Sequence, residues 1–218
     1  EVLDRLEAHS GRAINEAADI LVEAIRNGRT LYSFGCSHSF ILTEEVVYRT
    51  GGLMLINPVT PHGMAMDVRP LWMTSRIERV NGYGAVLAEG AGIGEGDAVL
   101  VASTSGRNAV AIDFALRCRE AGAKVIGITS LDYTNAVTSR HPQGLKLKDV
   151  VDLVIDNAAP AGDAAVNVDG FEQAIGPLST LTGVVVALTV MYPTLASSSP
   201  AGSGLSMAFA SLMKRALK

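Results

Sequence analysis

The 218-residue chain has few aromatic residues, 5% in all with one tryptophan, only two cysteines and no surplus of basic charge. Each lack excludes something. Eighteen Lys and Arg against 22 Asp and Glu leave a formal charge of −4, without the basic stripe of a dedicated nucleic-acid or membrane-surface binder. Cys36 and Cys118 match no disulfide or zinc spacing, so the chain reads as a reduced, cytoplasmic protein. Its first residues are charged, so no secretory leader is expected. The longest apolar run, Gly183–Tyr192, stops at Pro193 and reads as a buried helix, too short to span a bilayer. No Gly-x-x-x-x-Gly-Lys-Ser/Thr occurs, and the glycines of Gly90–Gly96 precede a strand instead of following one. P-loop and nicotinamide-dinucleotide chemistry are thereby disfavoured. No cluster of His, Cys, Asp and Glu has zinc spacing, so no metal and no cofactor is expected. Disorder is excluded by 48% hydrophobic residues and a small net charge.

Glycine is what the chain has in quantity, 22 residues set between apolar segments. Ile14, Ala17, Ala18, Leu21, Val22 and Ile25 recur at helical spacing, and Asn27-Gly28 closes that helix. Strands are expected at 30–35, 53–57, 97–102, 124–129 and 150–156, and further helices at 39–50, 77–88, 109–121, 177–192 and 205–217. Residues 58–76 read as a long surface excursion and 197–204 as a flexible linker. The expected units are an N-terminal helix over 1–29 at a subunit interface, a core domain over 30–195, and the linker with its terminal helix over 196–218. Continuous apolar strands alternating with helices imply a parallel sheet covered on both faces. The fold class is therefore α/β, a three-layer αβα sandwich with a doubly wound five-stranded sheet of order 2-1-3-4-5.

In that order the switch point lies between strands one and three, and ligands sit outside their carboxyl ends. Both hydroxyl-rich turns of the sequence follow those strands: Gly35-Cys-Ser-His-Ser39 and Ser103-Thr-Ser-Gly-Arg-Asn108. A strand-to-helix junction offers free backbone N–H groups and the positive end of a helix dipole, which favour an anion such as phosphate. The bland reading is that Ser and Thr only cap their helices. A rival reading makes Ser37 the nucleophile of a hydrolase elbow, with Asp132 and His141 completing a triad. The second glycine of that motif is here Ser39.

At these turns the sequence resembles the sugar isomerase, or SIS, domain family of phosphosugar-binding proteins. The resemblance runs over residues 1–195 and is closest to an uncharacterised bacterial SIS-domain group. It is carried by Phe34-Gly-Cys-Ser-His-Ser39, Ser105-Gly-Arg-Asn-Ala109, Ile128-Thr-Ser-Leu131 and Ile155-Asp-Asn157. It implies that the second turn grips phosphate through Ser103, Thr104, Ser105, Gly106 and Asn108, while Gly35, Ser37 and Ser39 of the first turn face the sugar. Pro177-Leu-Ser-Thr180 is similar to a helix start that closes over the ligand, which makes Ser179 and Thr180 candidates, with capping as the other reading. Arg107 stands where many isomerases of the family have glutamate, and suits either a second anionic group or neutralisation of phosphate.

The activity implied is aldose–ketose isomerisation of a phosphosugar through a cis-enediol(ate). Glu172 lies near the place of the family's catalytic glutamate, and His38 or His141 would be the acid–base partner. Glu44 and Glu45 begin the helix after the first turn, one facing the pocket and the other solvent. The alternatives are a non-catalytic phosphosugar sensor or regulator, and a lyase of the kind that cleaves the lactyl ether of N-acetylmuramic acid phosphate. Arg49 stands where that lyase branch has its glutamate, which disfavours the last. The partners implied are a phosphorylated sugar and further copies of the chain, as homodimer or homotetramer, with no nucleic acid and no membrane.

Overall fold

The structure is a computed structural model that describes residues 2–198. The expected helix at 205–217 lies outside them. Five parallel strands, β1 (Leu31–Gly35), β2 (Ile56–Pro58), β3 (Ala98–Ala102), β4 (Lys124–Thr129) and β5 (Leu153–Asp156), form one sheet in the order β2-β1-β3-β4-β5. This is the order expected from the sequence. Along β3, Ala98, Leu100 and Ala102 point to one core, and Val99 and Val101 to the other. A strand apolar at every position therefore serves two faces, because side chains alternate with period two.

On the first face α1 (Val2–Arg26), α2 (Phe40–Val46) and α7 (Ser179–Ser198) form one layer. The stripe Leu6, Ile14, Ala17 and Leu21 of α1 is used within the chain, in the core it shares with α7 and the sheet. The hydroxyl of Ser10 donates to the Asp156 carbonyl at 2.6 Å. On the other face lie α4 (Tyr83–Ala91) and α5 (Ala109–Glu120), preceded by the short α3 (Trp72–Ile77). There Phe34 of β1 stacks on Phe114 of α5 with ring centroids 4.0 Å apart. The two helices approach so closely that Gly84 of α4 lies against the α5 backbone. A short helix, α6 (Leu131–Ala136), follows β4 and is capped by Ser130, whose hydroxyl accepts the Tyr133 N–H at 2.9 Å.

Several boundaries differ from expectation for identifiable reasons. The helix expected at 39–50 ends at Val46, because Val47 is extended and Tyr48 takes a positive φ of 45°. The helix expected at 77–88 is two, parted at Gly82, whose φ is 81°. The last strand is confined to 153–156 by a 3-10 turn at Leu147–Asp149. α7 continues through Pro193, and the Thr194 hydroxyl donates to the Val190 carbonyl at 2.8 Å. Residues 58–76 are more than a surface excursion. Val59 and Met64 are buried, and the Met64 carbonyl accepts the Ser37 N–H at 2.7 Å, bracing the first turn. Among the described residues, no helix is long and apolar enough to cross a membrane.

Candidate functional site

Parallel pairing in register aligns the carboxyl ends of the central strands: Gly35 pairs with Ala102, and Ala102 with Ile128. The turns that follow β1 and β3 therefore lie side by side. In the first, a Cβ on Gly35 would stand 2.4 Å from the Ser39 carbonyl oxygen, so only glycine allows the chain to fold back there. Ser37 holds a left-handed φ of 52°, a conformation that costs about 1–3 kcal/mol in a non-glycine residue and persists only where its surroundings enforce it.

The second turn is fixed by its carbonyls. That of Thr104 accepts the Ser130 N–H at 2.9 Å, that of Ser105 the Thr134 hydroxyl at 3.0 Å, and that of Gly106 the Leu147 N–H at 2.8 Å. Gly106 is left-handed at φ 59°, and a Cβ there would come within 3.1 Å of both Thr129 Oγ1 and Thr134 Oγ1. With successive carbonyls drawn toward β4, α6 and the following loop, the N–H groups of Thr104 and Ser105 have no acceptor among the described residues. Such a turn is a concave donor surface for an anion.

The hydroxyls divide in two. Those of Ser39, Ser103, Thr104, Ser105 and Thr180 make no hydrogen bond among the described residues, and neither Ser39 nor Asn108 caps its helix through its side chain. Capping therefore does not account for them. Ser37 donates to Glu78 Oε1, and Ser179 donates to Asp163 Oδ2 at 2.5 Å. Asp163 also accepts the N–H groups of Leu178 and Ser179, at 2.9 and 2.8 Å, and so caps α7 from sixteen residues back. Replacing Asp163 with Ala removes that cap. A loss of about 1–2 kcal/mol is expected, read as a fall in Tm of roughly 2–8 °C for a chain of this size.

Glu78 is the residue that sequence reasoning missed. It lies between α3 and α4, in a stretch without clear periodicity or motif, and nothing local marks it. Its Oε2 accepts Asn108 Nδ2 at 2.5 Å, its Oε1 accepts the Ser37 hydroxyl, and its own carbonyl accepts the Val110 N–H at 3.1 Å. One carboxylate thus joins both turns. Burial, and next the charge of Glu78, push the Cys36 thiol well above its ordinary range, so it is not a ready thiolate.

The turns enclose a cleft of about 160 Å³ lined by Ser37, His38, Ser39, Ser103, Thr104, Ser105, Asn108 and Glu78. A recess beside it is bounded by His38, Ser39, Ser103, Thr104, Asn157, Ser179 and Thr180. Most of the candidate residues are therefore brought together. Others are not. Glu172 is exposed in the loop between the bridged residues Val166 and Ile175 and does not line the cleft. His141 is buried, with Nε2 3.0 Å from Asp113 Oδ1 and Nδ1 accepting the Gln143 N–H at 3.3 Å, so it anchors its loop to α5. Glu44 is exposed and Glu45 pairs with Arg49, so neither faces the cleft. The hydrolase triad is dispersed: Ser37 is held by Glu78, His141 by Asp113, and Asp132 by Arg5 at 2.8 Å. Arg107 does not line the cleft, and its Nη2 donates to Thr138 Oγ1 at 3.3 Å. Among the described residues, no three His, Cys, Asp or Glu side chains are grouped to hold a metal ion.

Known proteins share this fold. The SIS domain profile matches residues 1–130. A UPF0309 protein of Shouchella clausii is 41% identical over 189 residues, covering 87% of this chain and 77% of that protein. One from Oceanobacillus iheyensis is 38% identical over 205 residues, covering 94% and 83%. The phosphoheptose isomerase of Neisseria gonorrhoeae superposes with a TM-score of 0.58 at 16% identity, covering 87% of this chain and 89% of that one. The Vibrio vulnificus NanR protein, solved in complex with ManNAc-6P, superposes with a TM-score of 0.53 at 12% identity, covering 98% and 64%. These last two likenesses are of fold. With the profile matching well over half of the chain and relatives of this identity covering most of it, the chain belongs to the SIS domain family and is a relative of its UPF0309 proteins.

Proposed function

We propose that the cleft binds a phosphosugar by its phosphate and isomerises it between aldose and ketose. The observation that carries the binding is the second turn, where the N–H groups of Thr104 and Ser105 and the hydroxyls of Ser103, Thr104 and Ser105 have no acceptor within the described chain. A phosphate supplies several oxygens to such donors, aided by the N-terminus of α5. The neighbours' phosphosugar ligand and isomerase activity agree with this chemistry.

Isomerisation needs a base that takes the proton from the carbon beside the carbonyl and returns it to the neighbouring carbon. Glu78 is the carboxylate of the cleft, and its bonds from Ser37 and Asn108 hold it in one orientation. We assign the base to Glu78 in place of the exposed Glu172, and the acid–base partner at the sugar oxygens to His38, which borders both the cleft and its recess. Incubation with phosphosugars in heavy water tests this by NMR: deuterium enters the carbon beside the carbonyl if an enediol(ate) forms. Ligand-induced stabilisation without deuterium uptake would reduce the protein to a binding module. Ser105→Ala is expected to weaken phosphosugar binding about tenfold or more, by removing a hydrogen bond to a charged group. An unchanged Kd would take the second turn out of the phosphate site.

A further inference from the structure

Beside the cleft, next to Asn108 and Glu78 of its lining, are arginines without matching carboxylates. Arg140 Nη1 donates to Asn108 Oδ1 at 2.9 Å, and the Arg140 N–H donates to the Arg107 carbonyl at 2.9 Å. Arg79 follows Glu78 directly, and its side chain has no hydrogen bond among the described residues. Burial first, and then the positive charges of Arg107 and Arg79, draw the Arg140 pKa below its ordinary value. Arg107 Nε is closed off from solvent and has no partner among the described residues. The one carboxylate in the group is Glu78, and both its oxygens already accept from Ser37 and Asn108. A chain of net charge −4 thus concentrates unpaired positive charge at one side of its cleft. Like charges held together repel, and such a cluster is stable and useful when an anion lies among them.

We infer that Arg79, Arg107 and Arg140 form a second anion subsite, and that the ligand is a phosphosugar carrying another anionic group, a carboxylate or a second phosphate, away from the phosphate held by the second turn. This rests on the phosphate reading given above. Asn108 joins the subsites: its side chain touches Glu78 on one side and Arg140 on the other. Guanidinium forks suit either oxyanion, since both present paired oxygens.

The test compares ligands that differ only in the second charge. Glucitol 6-phosphate and 6-phosphogluconate share an open six-carbon chain and differ at the end remote from phosphate, hydroxymethyl in one and carboxylate in the other. Fructose 1-phosphate, fructose 6-phosphate and fructose 1,6-bisphosphate form the second set. Titration calorimetry is expected to show at least one doubly anionic ligand binding about tenfold tighter than its singly phosphorylated counterpart. The set in which the gain appears identifies the second group as carboxylate or phosphate. Arg140→Gln and Arg79→Gln, both on exposed residues, are expected to shrink that ratio toward one, whereas Ser105→Ala weakens both members and preserves it. If the singly phosphorylated ligands bind and the second charge adds nothing, or if the ratio survives both arginine substitutions, the subsite is refuted and the phosphate reading stands. If no phosphosugar binds the unaltered protein, the phosphate reading fails and the subsite with it.

Discussion

Glu78→Gln is expected to lower kcat for phosphosugar isomerisation by about 10²–10⁴-fold, the range lost when a positioned general base is removed. The amide keeps the size of the carboxylate and one accepting oxygen, so the bond from either Ser37 or Asn108 survives. It no longer takes a proton from carbon. Because the proposed binding mode rests mainly on the second turn, the Kd for a phosphosugar is expected to change by less than about threefold, under about 1 kcal/mol. Deuterium uptake at the carbon beside the carbonyl is the direct readout, because it reports proton abstraction whether or not product is released. Glu172→Gln serves as the comparison and is expected to leave uptake unchanged, since that residue stands outside the cleft. Uptake that survives Glu78→Gln and disappears in Glu172→Gln would return the base to the exposed loop.

Gly84→Ala is expected to be the most damaging single-atom change in the fold. On an isolated helix the substitution would favour helicity by about 1 kcal/mol. Here the new Cβ would stand 2.0 Å from the Val110 carbonyl oxygen and 2.6 Å from the Phe114 backbone nitrogen, both in α5. Backbone atoms cannot swing aside, so α4 must retreat from α5 and loosen the packing around the Phe34–Phe114 stack. Overpacking of this kind costs about 3 kcal/mol, well above the propensity gain. Thermal unfolding should show Tm lowered by roughly 6–12 °C. Gly90→Ala in the same helix is the control. Its Cβ meets nothing within 4 Å, and a small rise in Tm is expected from helix propensity alone. Equal Tm values for the two variants would show that the α4–α5 approach is not tight. The retreat should also weaken activity, because Glu78 is bonded to the first turn of α5 through Val110.

Legibility in the sequence followed the range of the interactions involved. The apolar runs at 98–102 and 125–128 mark strands whatever surrounds them, because every position in them is buried on one face or the other. Once strands and helices alternate, the handedness and brevity of their connections leave few topologies, and order 2-1-3-4-5 is among the simplest. The two turns were legible for the same reason: glycine and small hydroxyl residues at a strand-to-helix junction have a local meaning. Less legible were ends governed by single backbone angles, such as Tyr48 and Gly82, and the helix that runs on past Pro193.

The sequence by itself thus determined the doubly wound sheet, the switch point and the hydroxyls of Ser39, Ser103, Thr104 and Ser105 at the cleft. Tertiary structure alone decided which carboxylate faces them. Glu78 reaches both turns from a segment with no motif, and Glu172, beside a motif, is turned to solvent. It likewise took His141 out of the cleft and into a bond with Asp113, bound Ser179 to Asp163, and brought Arg140 against Asn108 and the Arg107 carbonyl. The physical reason is that periodicity and turn chemistry are properties of neighbours in sequence. The partner of a polar side chain is set by how layers pack, across separations of 30 to 41 residues for the bonds that define this site.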